Sequence, residues 1–410
     1  MMMKNRRNPA TKSVVLTSVI FATTVLLSAC GGSGGGADTK TGFGGSGDPN
    51  APADALLASG PLSAVGVAAI GATGLDDRAS TIFVNTQGGQ PFTSLKLGMV
   101  AEVSGTIPPA STSATAGTAT NINVQSAVVG LVSAVDLVNQ RLTVLSLTVQ
   151  VDQNTIFEGV NSLANLGIGN RVEVYGLPQP ESKAVLATRV IALAPNVGAP
   201  VELLGVATNV TAFQFTLQGI AVSTAGVSAV TTPTGTVPGT TSIVENTRVR
   251  VLGSYAATTN SIAASQIVAG IPVTRNDGAI IVLDGIVQSL VANGRFRLND
   301  TDVETTVGNA ATATVGSRVQ VKGRKTAGVL TATDFRRIAA GERMLYAVQG
   351  DVANFVSTVN FTLRGESINA STATFVGGSA ANLVNGRTVR VKVQSIAGHL
   401  EAIEVSFIVS

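Results

Sequence analysis

The sequence predicts an all-β protein built from about five small barrels in tandem, and three observations support this class. One string of glycine and valine recurs five times within the 410 residues. Around each copy, apolar and polar residues alternate with period two, which is the pattern of a half-buried strand. Glycine contributes 45 residues and only 12% of residues are charged, which suits tightly curved sheets and argues against a largely disordered chain.

The N-terminal segment, 1–29, has the composition of a secretory signal peptide. A basic start followed by an uncharged, apolar run is typical of such signals. The run extends from Ser13 to Ala29. The cations that precede it, with no acid among them, are Lys4, Arg6, Arg7 and Lys12.

The uncharged run ends in a sequence that resembles the bacterial lipobox, Leu27-Ser28-Ala29-Cys30. We therefore expect cleavage after the motif Leu27, Ser28 and Ala29, with lipidation of Cys30. Two or more acyl chains on one residue give stable anchoring in a membrane. Gly31 follows the cysteine, and the absence of an aspartate there favours the outer membrane, with the body facing the periplasm or the surface. The alternative is a short transmembrane anchor, since a run of this length lies at the lower limit for a spanning helix.

Residues 30–60 are predicted to form a flexible tether that carries the lipid at its start. Their first half is dominated by glycine and serine, a composition that behaves as a random coil. Removal of the signal peptide lowers the number of basic residues from 27 to 23, against 24 acidic ones. The basic isoelectric point of 9.2 therefore belongs to the signal and is no indication of a nucleic-acid partner.

The repeated string is G-x-x-V-x-V-x-G, and it defines five units. Its second valine recurs at nearly equal intervals, as Val103, Val174, Val251, Val321 and Val391. An upstream glycine accompanies each copy, at Gly66, Gly130, Gly205, Gly285 and Gly350. A downstream Ala-x-x-apolar mark begins at Ala119, Ala187, Ala264, Ala332 and Ala402. The predicted units are 61–128, 129–194, 201–270, 279–339 and 344–410.

The second unit shows the order of elements most clearly. Strands are predicted at 131–135, 141–145, 147–151, 172–174 and 184–193, with one helical turn over 162–169 between the third and the fourth. Five strands with a helical element in that place is the order of an OB-type barrel. Residues 225–241 of the third unit are rich in Thr, Gly and Pro and are predicted to be a long hairpin loop.

Together these marks resemble the bacterial repeats known as domain of unknown function 5666. The features that carry the resemblance are the glycine opening, the L-T-V strand, the L-x-x-L-x-x-G element, the repeated string and the final alanine mark. The similarity covers roughly residues 60–410 and is clearest in the second unit. It implies small OB-like barrels in secreted proteins and lipoproteins, and it supplies no catalytic residue.

Few residues offer catalytic or metal chemistry. One cysteine, one histidine and no tryptophan exclude an intramolecular disulfide and a zinc site made of several cysteines. His399 precedes the last strand and is expected to be a solvated turn residue, so we expect neither an enzyme nor a cofactor. Asp300, Asp302 and Glu304 alternate along a strand and could suit a hard cation such as calcium. The more ordinary interpretation is a solvated strand face or hairpin tip, because the loop glycines of calcium motifs are missing.

Nucleic acid is not expected as a partner, because binding needs a basic groove with aromatic stacking platforms. The basic clusters are explained by the charged outer faces of half-buried strands. They are Arg248, Arg250, Arg387, Arg390 and Lys392 in units three and five, and Arg318, Lys322, Arg324 and Lys325 in unit four.

The sequence thus predicts a lipid-anchored envelope protein with a structural, adhesive or ligand-binding role, in contact with an envelope glycan or another protein. The alternative is a binder of an oligosaccharide or other small ligand that uses one barrel face, and an enzyme is a distant third. We expect the units to stack as a short rod. Equal outer faces in all units would favour the structural role, and one specialised unit would favour ligand binding.

Overall fold

The computed structural model describes residues 54–66, 68–70, 73–76, 81–84, 95–107, 116–180, 184–196, 198–232, 235–269, 277–291, 294–305 and 313–408. In these ranges the chain forms 31 strands and two 3-10 turns, so the predicted all-β class is confirmed. None of the helical segments in this part of the chain has the length and apolar character needed to span a bilayer.

The strands fall into the five units that the repeated string defines. Unit 1 contains β1 (Asp54–Pro61), β2 (Ala64–Val65), β3 (Ala68–Ile70), β4 (Thr73–Asp76), β5 (Thr81–Val84), β6 (Val100–Ile107) and β7 (Ala116–Val124). Unit 2 contains β8 (Val128–Asp136), β9 (Arg141–Val144), β10 (Leu147–Gln150), β11 (Ile156–Glu158), a 3-10 turn (Leu163–Asn165), β12 (Arg171–Gln179) and β13 (Ala184–Leu193).

Units 3 to 5 follow in the same way. Unit 3 contains β14 (Val201–Val206), β15 (Gln214–Leu217), β16 (Ile220–Ser223), β17 (Ala229–Thr232), β18 (Gly235–Pro238), β19 (Arg248–Ala256) and β20 (Ser261–Ala269). Unit 4 contains β21 (Ile280–Val291), β22 (Arg295–Leu298), β23 (Thr301–Thr305), β24 (Arg318–Thr326) and β25 (Val329–Arg337). Unit 5 contains β26 (Tyr346–Ser357), β27 (Asn360–Leu363), β28 (Glu366–Asn369), β29 (Thr374–Val376), a 3-10 turn (Ala380–Asn382), β30 (Thr388–Ile396) and β31 (His399–Phe407).

Unit 2 closes into a barrel. β8 pairs with β9, β9 with β10, β10 with β13 in parallel, β13 with β12, and β12 with β8 again. This is the strand order of the OB-type barrel that the sequence predicts. Units 4 and 5 close by the same scheme. In unit 3, a single bridge between Thr208 and Thr216 completes the ring, and the predicted hairpin loop holds the antiparallel pair β17 and β18.

The recurring glycines mark the places where the strands approach each other most closely. The upstream glycine lies opposite the first valine of the string, as Gly130 does opposite Val172. The last glycine lies opposite the alanine mark at a β-bulge, as Gly176 does opposite Ala187. A Cβ atom on Gly176 would lie 2.5 Å from the carbonyl oxygen of Leu186, so the strands can curl here only with glycine.

Unit 1 begins earlier than the sequence marks indicate. β1 starts at Asp54, so the expected end of the tether at residue 60 falls inside a strand. Gly60, and not Gly66, lies opposite Ala101 in the position of the upstream glycine. Gly66 instead follows β2, which pairs in parallel with β26 of unit 5. The signal segment and the tether before residue 54 lie outside the described ranges.

The units do not follow one another as a simple rod. β1 pairs in parallel with β21, so unit 1 extends the sheet of unit 4, and β8 pairs with β14 to join units 2 and 3. One apolar core is formed mainly by units 1 and 5, with a few side chains of units 2 and 4, and another is formed by units 2 and 3. Unit 4 also has a smaller core of its own. The first unit thus contacts units that are far away in sequence, an arrangement that differs from the short rod expected from the sequence.

Candidate functional site

The residues of the expected lipidation site lie outside the part of the chain that the structure describes. These are Leu27, Ser28, Ala29 and Cys30. Their role therefore stays a prediction from the sequence.

The three candidate metal ligands of unit 4 lie on or beside a strand whose acids engage arginines of the neighbouring strand. Asp302 and Glu304 lie on the outer face of β23, where Oδ1 of Asp302 is 3.4 Å from Arg297 Nη1 and Oε2 of Glu304 is 2.8 Å from Arg295 Nη2. Asp300 lies in the preceding turn with a φ of 59°. Across the described ranges, no group of three or more His, Cys, Asp or Glu residues is placed to hold a metal ion. The geometry matches a charged strand face next to a hairpin tip.

His399 is an exposed residue at the start of β31. It lies opposite Ile396 across a hairpin, and the turn is formed by Ala397 and Gly398, which both have positive φ. His399 is therefore the first residue of the strand, directly after the turn in which the sequence places it.

Several of the predicted basic residues are neutralised by carboxylates. Lys392 Nζ lies 3.0 Å from Glu404 Oε2 on the adjacent strand. Arg318 Nε lies 2.9 Å from Asp284 Oδ1, and attraction to Asp284 and their hydrogen bond outweigh burial, so that the pKa of Arg318 is raised. At these two positions the positive charge is engaged by a carboxylate, and the Arg318 pair is buried and not on a solvated outer face.

One polar cluster joins units 1, 2 and 5, and we call it the Arg189 junction. Its members are Lys96, Leu97, Glu158, Arg189 and Glu366. Arg189 is only 1% exposed, and its two terminal nitrogens donate to both carboxylate oxygens of Glu366 at 3.0 and 3.1 Å. Arg189 also donates to Glu158 Oε2 at 2.6 Å and to the carbonyl oxygen of Leu97 at 2.9 Å.

The remaining bonds complete the junction. The backbone N–H of Leu97 donates to Glu366 Oε1 at 2.7 Å, and Lys96 forms an ion pair with Glu158. Burial alone would lower the pKa of Arg189, but Glu366 and Glu158 outweigh it and the pKa is raised. Burial alone would raise the pKa of Glu158, but Arg189 and Lys96 outweigh it and the pKa is lowered. Arg189 and Glu158 are thus held in their charged forms.

Sequence reasoning missed the Arg189 junction, although one signal was present. Arg189 is the third residue of the alanine mark, a position that is polar in every unit. The corresponding residues are Asn121, Arg189, Gln266, Asp334 and Glu404. Only unit 2 has a cation there. The three units meet around that cation because its strand, β13, carries it on the face towards units 1 and 5.

A second polar cluster lies where units 1, 2 and 3 meet, and we call it the three-unit seam. It consists of Glu102, Gln125, Ser126, Glu173, Tyr175, Glu202, Arg248 and Arg250. Arg248 donates to Glu102 Oε1 and to Gln125 Oε1, both at 2.9 Å. The hydroxyl of Ser126 donates to Glu202 Oε1 at 3.0 Å.

The electrostatics of the seam differ from those of the junction. Tyr175 donates to Glu173 Oε1 at 2.8 Å. Burial, with repulsion from Glu202, raises the pKa of Glu173 despite this bond. Burial and the neighbouring Glu173 also raise the pKa of Tyr175. Burial lowers the pKa of Arg250, with only partial compensation from Glu202.

Comparison with known proteins finds a similarity for one of the units. Residues 129–191 match the family model described as Domain of unknown function (DUF5666). This range runs from β8 through most of β13, the unit in which the sequence marks are clearest. No curated protein matches the chain significantly.

Proposed function

We propose that this chain is a lipid-anchored protein of the bacterial cell envelope whose five barrels form one interlocked body with a structural or adhesive role. The observation that carries the proposal is the Arg189 junction. Its charged groups, which could otherwise serve ligand chemistry, bind three barrels to one another, and the bond from Leu97 to Glu366 alone connects residues that lie 269 positions apart. A body fixed in this way is suited to bearing load or presenting a surface.

The anchoring part of the proposal rests on the N-terminal sequence. The basic start, the uncharged run and the motif that ends at Cys30 support a lipoprotein signal. The glycine-rich segment between Cys30 and β1 supports a tether between a bilayer and the barrels. Gly31 supports delivery to the outer membrane.

Replacement of Cys30 by alanine tests the anchor. The wild-type chain should incorporate labelled palmitate and sediment with membranes, whereas Cys30→Ala should lose the label and enter the soluble fraction. Ser33→Ala, in the same segment, is the matched control and should behave as the wild type. Retention of Cys30→Ala in the membrane fraction would contradict lipid anchoring and favour a transmembrane segment.

The structural or adhesive role can be tested on whole envelopes. Purified full-length protein in detergent should sediment with isolated peptidoglycan sacculi or with lipopolysaccharide vesicles if it contacts an envelope glycan. Absence of binding to both, together with unchanged resistance to detergents in cells that lack the protein, would contradict the role.

The second candidate function is binding of a small ligand by one specialised barrel face. It is favoured because the outer faces of the string strands differ between units. The residue between the two valines is Glu102, Glu173, Arg250, Gln320 or Arg390. Identical faces would be expected of a purely repetitive rod, whereas these differences allow one unit to bind a ligand that the others do not.

A further inference from the structure

Arg250 differs from the other deeply buried arginines of the described chain in how its donors are satisfied. Arg189 donates to Glu366 and Glu158, and Arg318 donates to Asp284 through Nε and Nη2 at 2.9 and 3.1 Å. Arg250 is 9% exposed, yet its Nε and Nη1 atoms have no hydrogen-bond partner among the described residues. A guanidinium withdrawn from water normally has its donors satisfied, so these two nitrogens call for an acceptor.

A second unsatisfied donor lies in the same seam. Gln125 is 2% exposed, and its Oε1 accepts from Arg248, two residues before Arg250 on β19, at 2.9 Å. Its Nε2, which carries two hydrogens, has no partner in the described part of the chain.

The two donors are connected through Arg248, which donates to Gln125 and lies on the same face of β19 as Arg250, two residues away. The carbonyl oxygen of Ala127, two residues after Gln125, accepts from the N–H of Leu204 at 3.0 Å. Leu204 in turn lies directly opposite Arg250 in the pairing of β14 with β19. β14 therefore lies between the connection of units 1 and 2 and the strand that carries Arg250, and the Gln125 side chain reaches past it to Arg248.

We propose that the three-unit seam binds a small oxyanion, a carboxylate or a phosphate, through Nε and Nη1 of Arg250 and Nε2 of Gln125. An oxyanion supplies both the acceptor oxygens and the negative charge that a guanidinium prefers, whereas a water molecule would supply only the oxygen. The ligand has to be small, because Tyr175 and Glu202 in the same seam are only 1% and 3% exposed.

The neighbouring carboxylates limit the affinity without removing the site. Glu202 attracts Arg250, but its Oε1 is already an acceptor for Ser126, and Nε and Nη1 of Arg250 make no bond to it. Glu102 is committed to Arg248 at 2.9 Å. The site therefore offers unfilled donors next to charges that are partly engaged elsewhere. This inference does not depend on the lipid anchor or on a structural role.

The test titrates the full-length protein in detergent with inorganic phosphate in one arm and acetate in the other, at constant ionic strength set with chloride. We expect a saturable rise in melting temperature with at least one anion, by mass action on the folded state, and the arm that responds distinguishes phosphate from carboxylate. The same anion should shift one arginine Nε–H resonance in a nitrogen-15 spectrum. Arg250→Gln should abolish both effects, and Arg336→Gln, on an exposed arginine, should retain them.

A second variant tests the site in case Arg250→Gln does not fold. Gln125→Leu keeps the guanidinium and removes one donor, so it should weaken binding about tenfold, which corresponds to roughly 1.4 kcal/mol. Absence of a saturable response to either anion in the wild type would overturn the proposal. An equal response in wild type and Gln125→Leu, or in wild type and a folded Arg250→Gln, would overturn it as well by placing the anion elsewhere.

Discussion

The Arg189 junction and the three-unit seam both bury an arginine between barrels, but they differ in how that charge is satisfied. At the junction, Glu366 and Glu158 accept from the guanidinium, and the pKa shifts of Arg189 and Glu158 both favour the charged form. In the seam, Nε and Nη1 of Arg250 lack acceptors among the described residues, and Glu173 has a raised pKa. The junction is therefore a contact that holds units together, whereas the seam contains a buried cation with donors that have no acceptor among the described residues.

The largest expected effect comes from breaking the junction at its centre. Arg189→Met leaves Glu366 buried without its cation, and removal of one partner from a buried pair costs about 3–5 kcal/mol. Urea denaturation of the full-length protein should show this loss in the free energy of unfolding. Arg336→Met, which breaks an exposed ion pair with Glu342, should cost at most about 1 kcal/mol. A loss below that control value at Arg189 would contradict the role of the junction.

A smaller, pH-dependent effect is expected at the edge of the junction. Glu158→Gln should cost about 1–2 kcal/mol at neutral pH, since it weakens charge-assisted bonds on a side chain that is 31% exposed. The pKa of Glu158 is lowered from 4.5, so its stabilising charge is fully present above pH 4.5 and is lost as the pH falls through the lowered pKa. Plotted against pH, the free energies of unfolding of wild type and Glu158→Gln should therefore converge in acid. A constant difference between them down to pH 2 would contradict a stabilising charge on Glu158.

The seam should respond to pH with the opposite sign. The pKa of Glu173 is raised from 4.5, so its ionised form destabilises the fold at neutral pH and this cost disappears as the pH falls through the raised pKa. Glu173→Gln should raise the free energy of unfolding, measured by urea denaturation, by less than about 1 kcal/mol at pH 7, and the advantage should vanish near pH 4. A variant less stable than the wild type at pH 7 would mean that the ionised carboxylate is needed.

The smallest effect on stability is expected at Arg250. Arg250→Met removes a buried charge whose Nε and Nη1 make no hydrogen bond to the described residues, so the substitution also removes the cost of withdrawing that charge from water. The change in free energy of unfolding in anion-free buffer should lie within about 1 kcal/mol. A loss as large as that of Arg189→Met would remove the contrast between the two regions.

Much of the fold could be predicted from the sequence, because the repeated glycines, valines and alanines are each required by strand pairing within a single unit. The last glycine of the string and the alanine mark are paired residues at one bulge, as Gly323 and Ala332 are, and such steric requirements leave a visible pattern. The start of unit 1 was misplaced because two glycines, Gly60 and Gly66, lie close together and only the pairing with Ala101 selects between them.

The polar clusters could not be predicted in the same way. The members of the Arg189 junction come from three different units, and their spacing along the chain follows no period. The charged strand face of unit 4 could be predicted because Asp302 and its partner Arg297 lie on adjacent strands of one hairpin. Contacts between barrels depend on how the units dock, which a pattern within each unit does not encode.

The parallel pairing of β1 with β21 and of β2 with β26 has a consequence for the order of assembly. A chain that emerges N-terminus first presents the strands of unit 1 well before residues 280–348 exist to pair with them. Until then, β1 and β2 keep open edges, and open edges are templates for wrong pairing with other chains. The first unit to leave the ribosome thus receives its last strand partner only when β26 of unit 5 has been made, and until then its open edges have to be kept from other chains.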